Sequence, residues 1–271
     1  MSLGDDLRHT ARATPALLRV GFAGAVAYRS EFLVWVLTTN MPLVMLALWT
    51  AVAREAPVGR FGQRDFAAYF LAALLVRLVT GSWVVWELTM EVRSGALSAR
   101  LLRPIHPFVY YAMENLAALP LRGLIALPIT LASLAYVGRG HLAHDPVAWA
   151  ILPLALAGAW AIVFCVGLCV GTLGLFWQSA SAVFDVWLAC GFVLSGYTIP
   201  LELFPPNLYA VVRWLPFRYT LAFPVEVALG MSPRGPMLAA LGTQWAWAAL
   251  FLFAALALWR AGMRRHAAVG G

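Results

Sequence analysis

The chain contains no lysine: all 19 of its basic residues are arginine. That absence removes the phosphate-gripping lysine of a P-loop and the amine of a Schiff-base enzyme. Charge of either sign is scarce as well, at 11% of residues against about 25% in an ordinary soluble domain. The formal net charge of +7 does not point to nucleic acid, because the arginines are scattered between apolar runs instead of gathered in one basic stripe. They suit membrane orientation and anionic lipid headgroups better. Cysteine is limited to three residues, Cys165, Cys169 and Cys190, all in apolar segments, so reduced, packed thiols are expected rather than a disulfide framework or a metal site. Catalytic signatures are missing too. There is no H-E-x-x-H, and Ser195-Gly196 lacks the G-x-S-x-G context and nearby base of a nucleophile elbow. The run "HLAHD", His141 to Asp145, sets two histidines beside a carboxylate, but in a short loop without the helical context of a metal site. No compact basic, apolar, small-residue cleavage pattern opens the chain, so insertion without cleavage is expected.

What is present is apolar. Of 271 residues, 62% are hydrophobic, with 12 Trp and 15 Phe. Mean hydropathy is +0.81. Crossing a hydrocarbon core about 30 Å thick takes roughly 20 apolar residues as helix, and several windows reach that length. The expected fold is therefore all-α: one polytopic membrane domain of six transmembrane helices.

Residues 5–30 carry Arg8, Arg12 and Arg19 on one side of a helical wheel and Leu18, Phe22 and Val26 on another. This pattern predicts an amphipathic interfacial helix in the headgroup layer. Spans are predicted at 32–53, 66–90, 105–137, 147–173, 180–200 and 236–260. The fourth and fifth are separated within 39 consecutive uncharged residues by "GLFWQSAS", where Gly, Gln and Ser interrupt the run. Six spans put both termini on one side; taking that side as the cytoplasm gives it ten arginines against seven opposite.

Between the second and third spans stands "EVRSGALSARLLRPIHPF", Glu91 to Phe108, a polar interruption in an apolar chain. Ser94-Gly95 can stop one helix and start another, Leu97 and Leu101 share a face at i and i+4, and Pro104 closes the segment. A short surface helix with Arg100 and Arg103 beside its apolar edge suits docking into a groove, with both leucines outside the packed bundle; a loop snorkelling on lipid is the plainer alternative. Much later, "SGYTIPLELFPPNLYAVVRWLPFRYTLAFPVEVALG", Ser195 to Gly230, packs prolines and aromatics too densely for one straight helix. In this order the two stretches resemble the membrane subunits of ABC-type exporters, the ABC-2-type permeases.

That resemblance implies a coupling helix within 91–103, carried by Glu91, Arg93, Ser94, Gly95, Leu97, Arg100, Leu101 and Arg103, which docks on a separate ATP-hydrolysing subunit. It implies two copies of that ATPase, a second permease chain, identical or homologous, a bacterial-type plasma membrane, and both termini in the cytoplasm. ATP and Mg would be held by the ATPase, with no cofactor in this chain. It also implies a re-entrant hairpin over 201–233, with Tyr197, Glu202, Phe204, Trp214, Phe217, Arg218 and Glu226 as outer-gate candidates; a passive extracellular cap is the plainer alternative. Glu202, Arg213, Arg218 and Glu226 could bond freed backbone groups or one another.

Inside the membrane, Arg77, Glu114, Arg122 and Asp185 are polar or pathway candidates, with ion pairing within the bundle the plainer role. Arg77 near mid-span needs protein or water around it, and Glu114 and Asp185 are its candidate partners. Glu87 and Glu91 repel at i and i+4 unless Arg93, Arg122 or a partner's basic surface relieves them. Gly167 and Gly171 permit close helix approach within the chain. The expected function is permeation of an amphipathic or hydrophobic solute (drug, natural product or lipid-like); the rivals are an intramembrane enzyme and an ATPase-independent scaffold or channel.

Overall fold

A computed structural model of the chain describes residues 14–24, 26, 41–137, 139–177 and 179–269. Among these, helices follow one another: α1 (14–24), α2 (Met41–Glu55), α3 (Gln63–Thr80), α4 (Val84–Ser94), α5 (Leu97–Leu101), α6 (Pro107–Ala117), α7 (Leu119–Val137), α8 (Pro146–Leu173), α9 (Ser181–Leu194), α10 (Pro206–Val212), α11 (Pro216–Thr220), α12 (Ala222–Ala228) and α13 (Arg234–Val269). The only β-type pairing among the described residues is an isolated bridge, Val58 with Phe61.

Among the described residues, four helical stretches are long and apolar enough to cross a membrane: Gln63–Ser94, Pro107–Val137, Pro146–Leu173 and Arg234–Arg264. The other two expected spans fall on the 15-residue α2 and the 14-residue α9. The described part of α2 begins at Met41, and α9 is shorter than the roughly 20 residues a full crossing takes. Residues 32–40 of the first expected span, and most of the expected interfacial helix outside 14–24, lie outside the described residues. The expected turn over Gly174 to Ser181 is present: α8 ends at Leu173, and Phe176 and Trp177 donate to the Leu173 carbonyl.

The central element is α8. Asp145 caps its start by accepting from the Val147 N–H at 3.0 Å, and Pro146 occupies the first helical position, where no N–H is required. Its 28 residues are apolar on every side, as a helix surrounded by others must be. Around it pack α13, α4, α12, α11 and α3. Glycines make the closest approaches possible: a Cβ on Gly167 would meet Val84 at 2.6 Å, and one on Gly171 would meet Leu88 at 2.8 Å. The expected small-residue seam thus serves packing within the chain.

The second span is not one helix. α3 stops at Thr80, Gly81 takes an extended conformation, and α4 restarts at Val84. Backbone freed at such a break must be paired inside the protein. The Gly81 N–H donates to the Arg77 carbonyl at 3.2 Å, and Arg122 Nη1 of α7 donates to the Gly81 carbonyl at 2.5 Å. Ser82 Oγ accepts from Asn115 of α6 at 3.3 Å, and Asn115 in turn accepts from Trp160 of α8 at 2.7 Å. The third expected span is likewise divided, at Ala118 between α6 and α7.

Candidate functional site

The polar interruption folds as an elbow. Gly95 ends α4 with φ of 77°, a left-handed conformation that a side chain would strain, and so allows the chain to turn into α5. Arg100 of α5 lies between two carboxylates. Its Nη2 reaches Glu91 of α4 at 2.5 Å and its Nη1 reaches Glu114 of α6 at 2.9 Å. The guanidinium stands 4.5 Å from the Tyr111 ring centroid, and the Tyr111 hydroxyl donates to the other Glu91 oxygen at 2.6 Å. Burial by itself lowers the Arg100 pKa, but hydrogen bonds to Glu114 and Glu91 outweigh it and push it up. One permanent cation therefore ties three elements together. Arg103 stacks on Tyr110 at 4.9 Å, and His106 caps α6 by accepting from the Phe108 N–H at 3.2 Å. At the amino-terminal side, α1 presses Gly21 against Ala117 and the Glu114 backbone of the same α6.

Two expectations about this elbow need correction. Leu97 is only 1% exposed, packed with Val84, Leu88, Phe108 and Tyr111, so it anchors the elbow to its own bundle and does not share an outward face with Leu101. Leu97 lies at the inner end of α5, under α4 and α6; the exposed apolar edge at its other end is Leu101, 38% exposed, and Leu102, 88% exposed. Relief of the Glu87 and Glu91 pair comes partly from elsewhere: Arg100 and Tyr111 bond Glu91, while Arg122 attracts Glu87 as expected. Arg93 lines a 160 Å³ cavity with Thr89, Met90 and Asp185, between α4 and α9, and Arg122 also donates to the Gly81 carbonyl. Ser94 is exposed, its hydroxyl 3.5 Å from the Glu91 carbonyl.

The expected pairing of Arg77 with Glu114 or Asp185 also differs from what is found. Glu114 is engaged by Arg100 and Asp185 lies in the α4–α9 cavity, whereas Arg77 stands 6.0 Å from the Tyr197 ring centroid. An arginine this far into a span is thus accompanied by an aromatic face, which attracts a cation through the ring quadrupole. Its Nε is buried without a hydrogen-bond partner.

At the opposite end of the bundle, the proline-rich segment breaks into α10, α11 and α12, and the latter two pack against α8. Arg218 pairs with Glu226 at 2.6 Å, both nearly buried, and Arg60 grips Glu202 through two bonds of 2.7 and 2.8 Å. Tyr219 donates to the Arg213 carbonyl at 2.8 Å. Of the other outer candidates, Phe217 packs on Trp187 at 4.5 Å, Tyr197 on Phe192 at 5.6 Å, and Phe204 against the cluster of Leu201, Val212 and Ala222, while the Trp214 side chain is exposed. Sequence reasoning missed the residues that fasten this segment: Tyr69 donates to Gly196, Trp49 to Thr198, and buried Gln244 to both Ala155 and Tyr219 carbonyls at 2.9 Å. A glutamine within an apolar run was the available signal for the last of these. Tyr111 was missed as well, although the Tyr110-Tyr111 pair directly follows the arginine-rich stretch.

A multi-pass helical bundle, a charged elbow between two long helices and a proline-broken segment packed onto the core are thus found in one chain. The family described as ABC-2 family transporter protein matches residues 33–270. The chain belongs to that family. It is a multi-pass membrane protein and a permease subunit of an ABC transporter, whose family associates with an ABC ATPase. No curated protein matches the permease.

Proposed function

We propose that this permease is one half of the membrane channel of an ATP-driven exporter. It crosses a bacterial-type plasma membrane six times with both termini cytoplasmic and pairs with a second permease chain, identical or homologous. Two copies of a separate ATPase, which hold ATP and Mg, drive it. Its solute is amphipathic or hydrophobic, in keeping with an interior rich in aromatics and poor in intramembrane charge. The observation that carries the reading is the Arg100 elbow. A cation clamped to Glu91 and Glu114 makes α5 rigid with both α4 and α6, so force applied at exposed Leu101 and Leu102 reaches two long helices at once. ATP binding then favours one packing of the permease pair over another, which alternating access requires. The segment 201–233, hung from α3, α8 and α13, is the outer gate.

Native purification from membranes tests this. Recovery of an ATPase subunit with the permease, and ATP hydrolysis raised by hydrophobic or amphipathic solutes, are the expected results. Recovery without any ATPase, under conditions that keep other transporter complexes intact, would leave a channel or scaffold in its place.

A further inference from the structure

Two adjoining cavities lie at the end of the bundle remote from α5, and no residue of the elbow lines either. The inner one, of 230 Å³, is walled by Leu71, Leu75 and Val79 of α3, Ser133 of α7 and Leu152 of α8. Its two hydroxyl-bearing wall residues add little polarity, since Thr130 and Ser133 donate to the Ala126 and Ile129 carbonyls of their own helix at 2.7 and 2.6 Å. The slot is chemically hydrocarbon, and its walls are helices of membrane-spanning length. The outer cavity, of 460 Å³, shares Ala68, His141, Leu142 and Leu229 with the slot and is rimmed by Arg60, Asp65, His144 and Asp145. Both volumes fall within or near the roughly 300–1,000 Å³ of small-ligand sites.

The charges of the mouth are unequally committed. Arg60 is held by Glu202, and Asp145 by Arg234 at 2.5 and 2.7 Å. Asp65 accepts from the Gly62 N–H, and its other oxygen lies 3.5 Å from His141 Nε2, but the side chain remains 45% exposed. The mouth thus offers an accessible carboxylate beside His141, whose Nδ1 is buried without a partner. An accessible carboxylate above an apolar slot selects an alkyl chain with a cationic tip and disfavours an anionic one.

We propose that the two cavities together bind one aminophospholipid from the adjacent leaflet. One acyl chain fills the slot between α3, α7 and α8, and the ammonium meets the accessible Asp65 carboxylate beside His141. The site rests on the membrane-protein assignment and not on the transport reading, since occupancy is measured without nucleotide or ATPase.

The test is native mass spectrometry of the delipidated permease with equal amounts of palmitoyl-oleoyl phosphatidylethanolamine and phosphatidylglycerol. One ethanolamine lipid per chain is expected, favoured roughly tenfold, as a hydrogen-bonded charge contact would give. Ser133→Phe and Val79→Phe fill the slot from different walls, and each is expected to remove that adduct while the melting temperature holds. Asp65→Asn keeps the acceptor for Gly62 and is expected to bring the two lipids to near parity. Equal binding of both lipids to the unmodified protein overturns the proposal. So does tight binding of dodecylamine without the ethanolamine lipid, or a folded slot-filled variant with parental affinity.

Discussion

At Arg100 one side chain holds together what the chain separates by 9 residues on one side and 14 on the other. The bonds run to Glu91 and Glu114, with the Tyr111 ring beneath the guanidinium, and only an arginine supplies two nitrogens in a fixed planar fork for two carboxylates. Arg100→Gln is therefore expected to cost roughly 1–3 kcal/mol of elbow stability, from carboxylates left without their charged donor, and to uncouple ATP hydrolysis from transport. Arg100→Lys is expected to keep the charge but recover transport only in part. Solute-stimulated hydrolysis and uptake into inverted vesicles, measured side by side, check both.

Asp145 and Arg234 form a second pair, at the opposite end and in water. The hydrogen bond from Arg234, aided by the Val147 N–H, holds the Asp145 carboxyl below its usual range. A depressed carboxyl contributes stability that is present above the unfolded value, 3.8, and lost as pH falls through the lower folded value. Asp145→Asn, which retains the cap on Val147, is thus expected to lower the melting temperature slightly at neutral pH. The variant and the parent should converge only as pH falls through the folded value, below 3.8, because the parental carboxyl is then protonated as well.

Among elements, the break between α3 and α4 has more consequence than any single helix. Arg122 of α7 occupies the Gly81 carbonyl, so Arg122→Met is expected to strand a buried acceptor, at a cost of about 1–3 kcal/mol. Thermal unfolding in detergent measures it. The elbow offers a sharper contrast between neighbouring leucines. Leu97→Ala opens a cavity in the cluster with Leu88 and Tyr111 and is expected to destabilise the permease by about 2–5 kcal/mol. Leu101→Ser with Leu102→Ser touches side chains that face outward, so melting should hold while ATPase binding and transport are lost. Parental transport by that double variant would reduce α5 to a connecting loop.

For the whole molecule, the faces left apolar are informative. α9 exposes Val183, Val186, Leu188, Phe192 and Val193, and α13 exposes Leu250, Leu252 and Phe253. Lipid can cover such faces, but a pair of permeases would bury some of this surface in enclosing a path between them. Intact-mass measurement of the detergent complex is expected to show two permease chains per particle; one chain per particle would sink the paired channel.

Fold class and family were legible without coordinates because both depend on properties that are local along the chain. Long uncharged runs demand helices wherever backbone polar groups cannot meet water, and the arginine-rich stretch and the proline-aromatic stretch announce themselves by composition. The turn after Leu173 was readable for the same reason. Pairings were not. Arg100 with Glu114, Arg122 with Gly81, Arg77 with Tyr197 and Gln244 with Ala155 each join residues 14 to 120 positions apart, and which cation reaches which partner depends on the helices being brought side by side. Composition marked Leu97 and Leu101 alike as apolar, one turn apart. Only the packing of α4 against α8 and α6 buried the first and left the second, with Leu102, facing out.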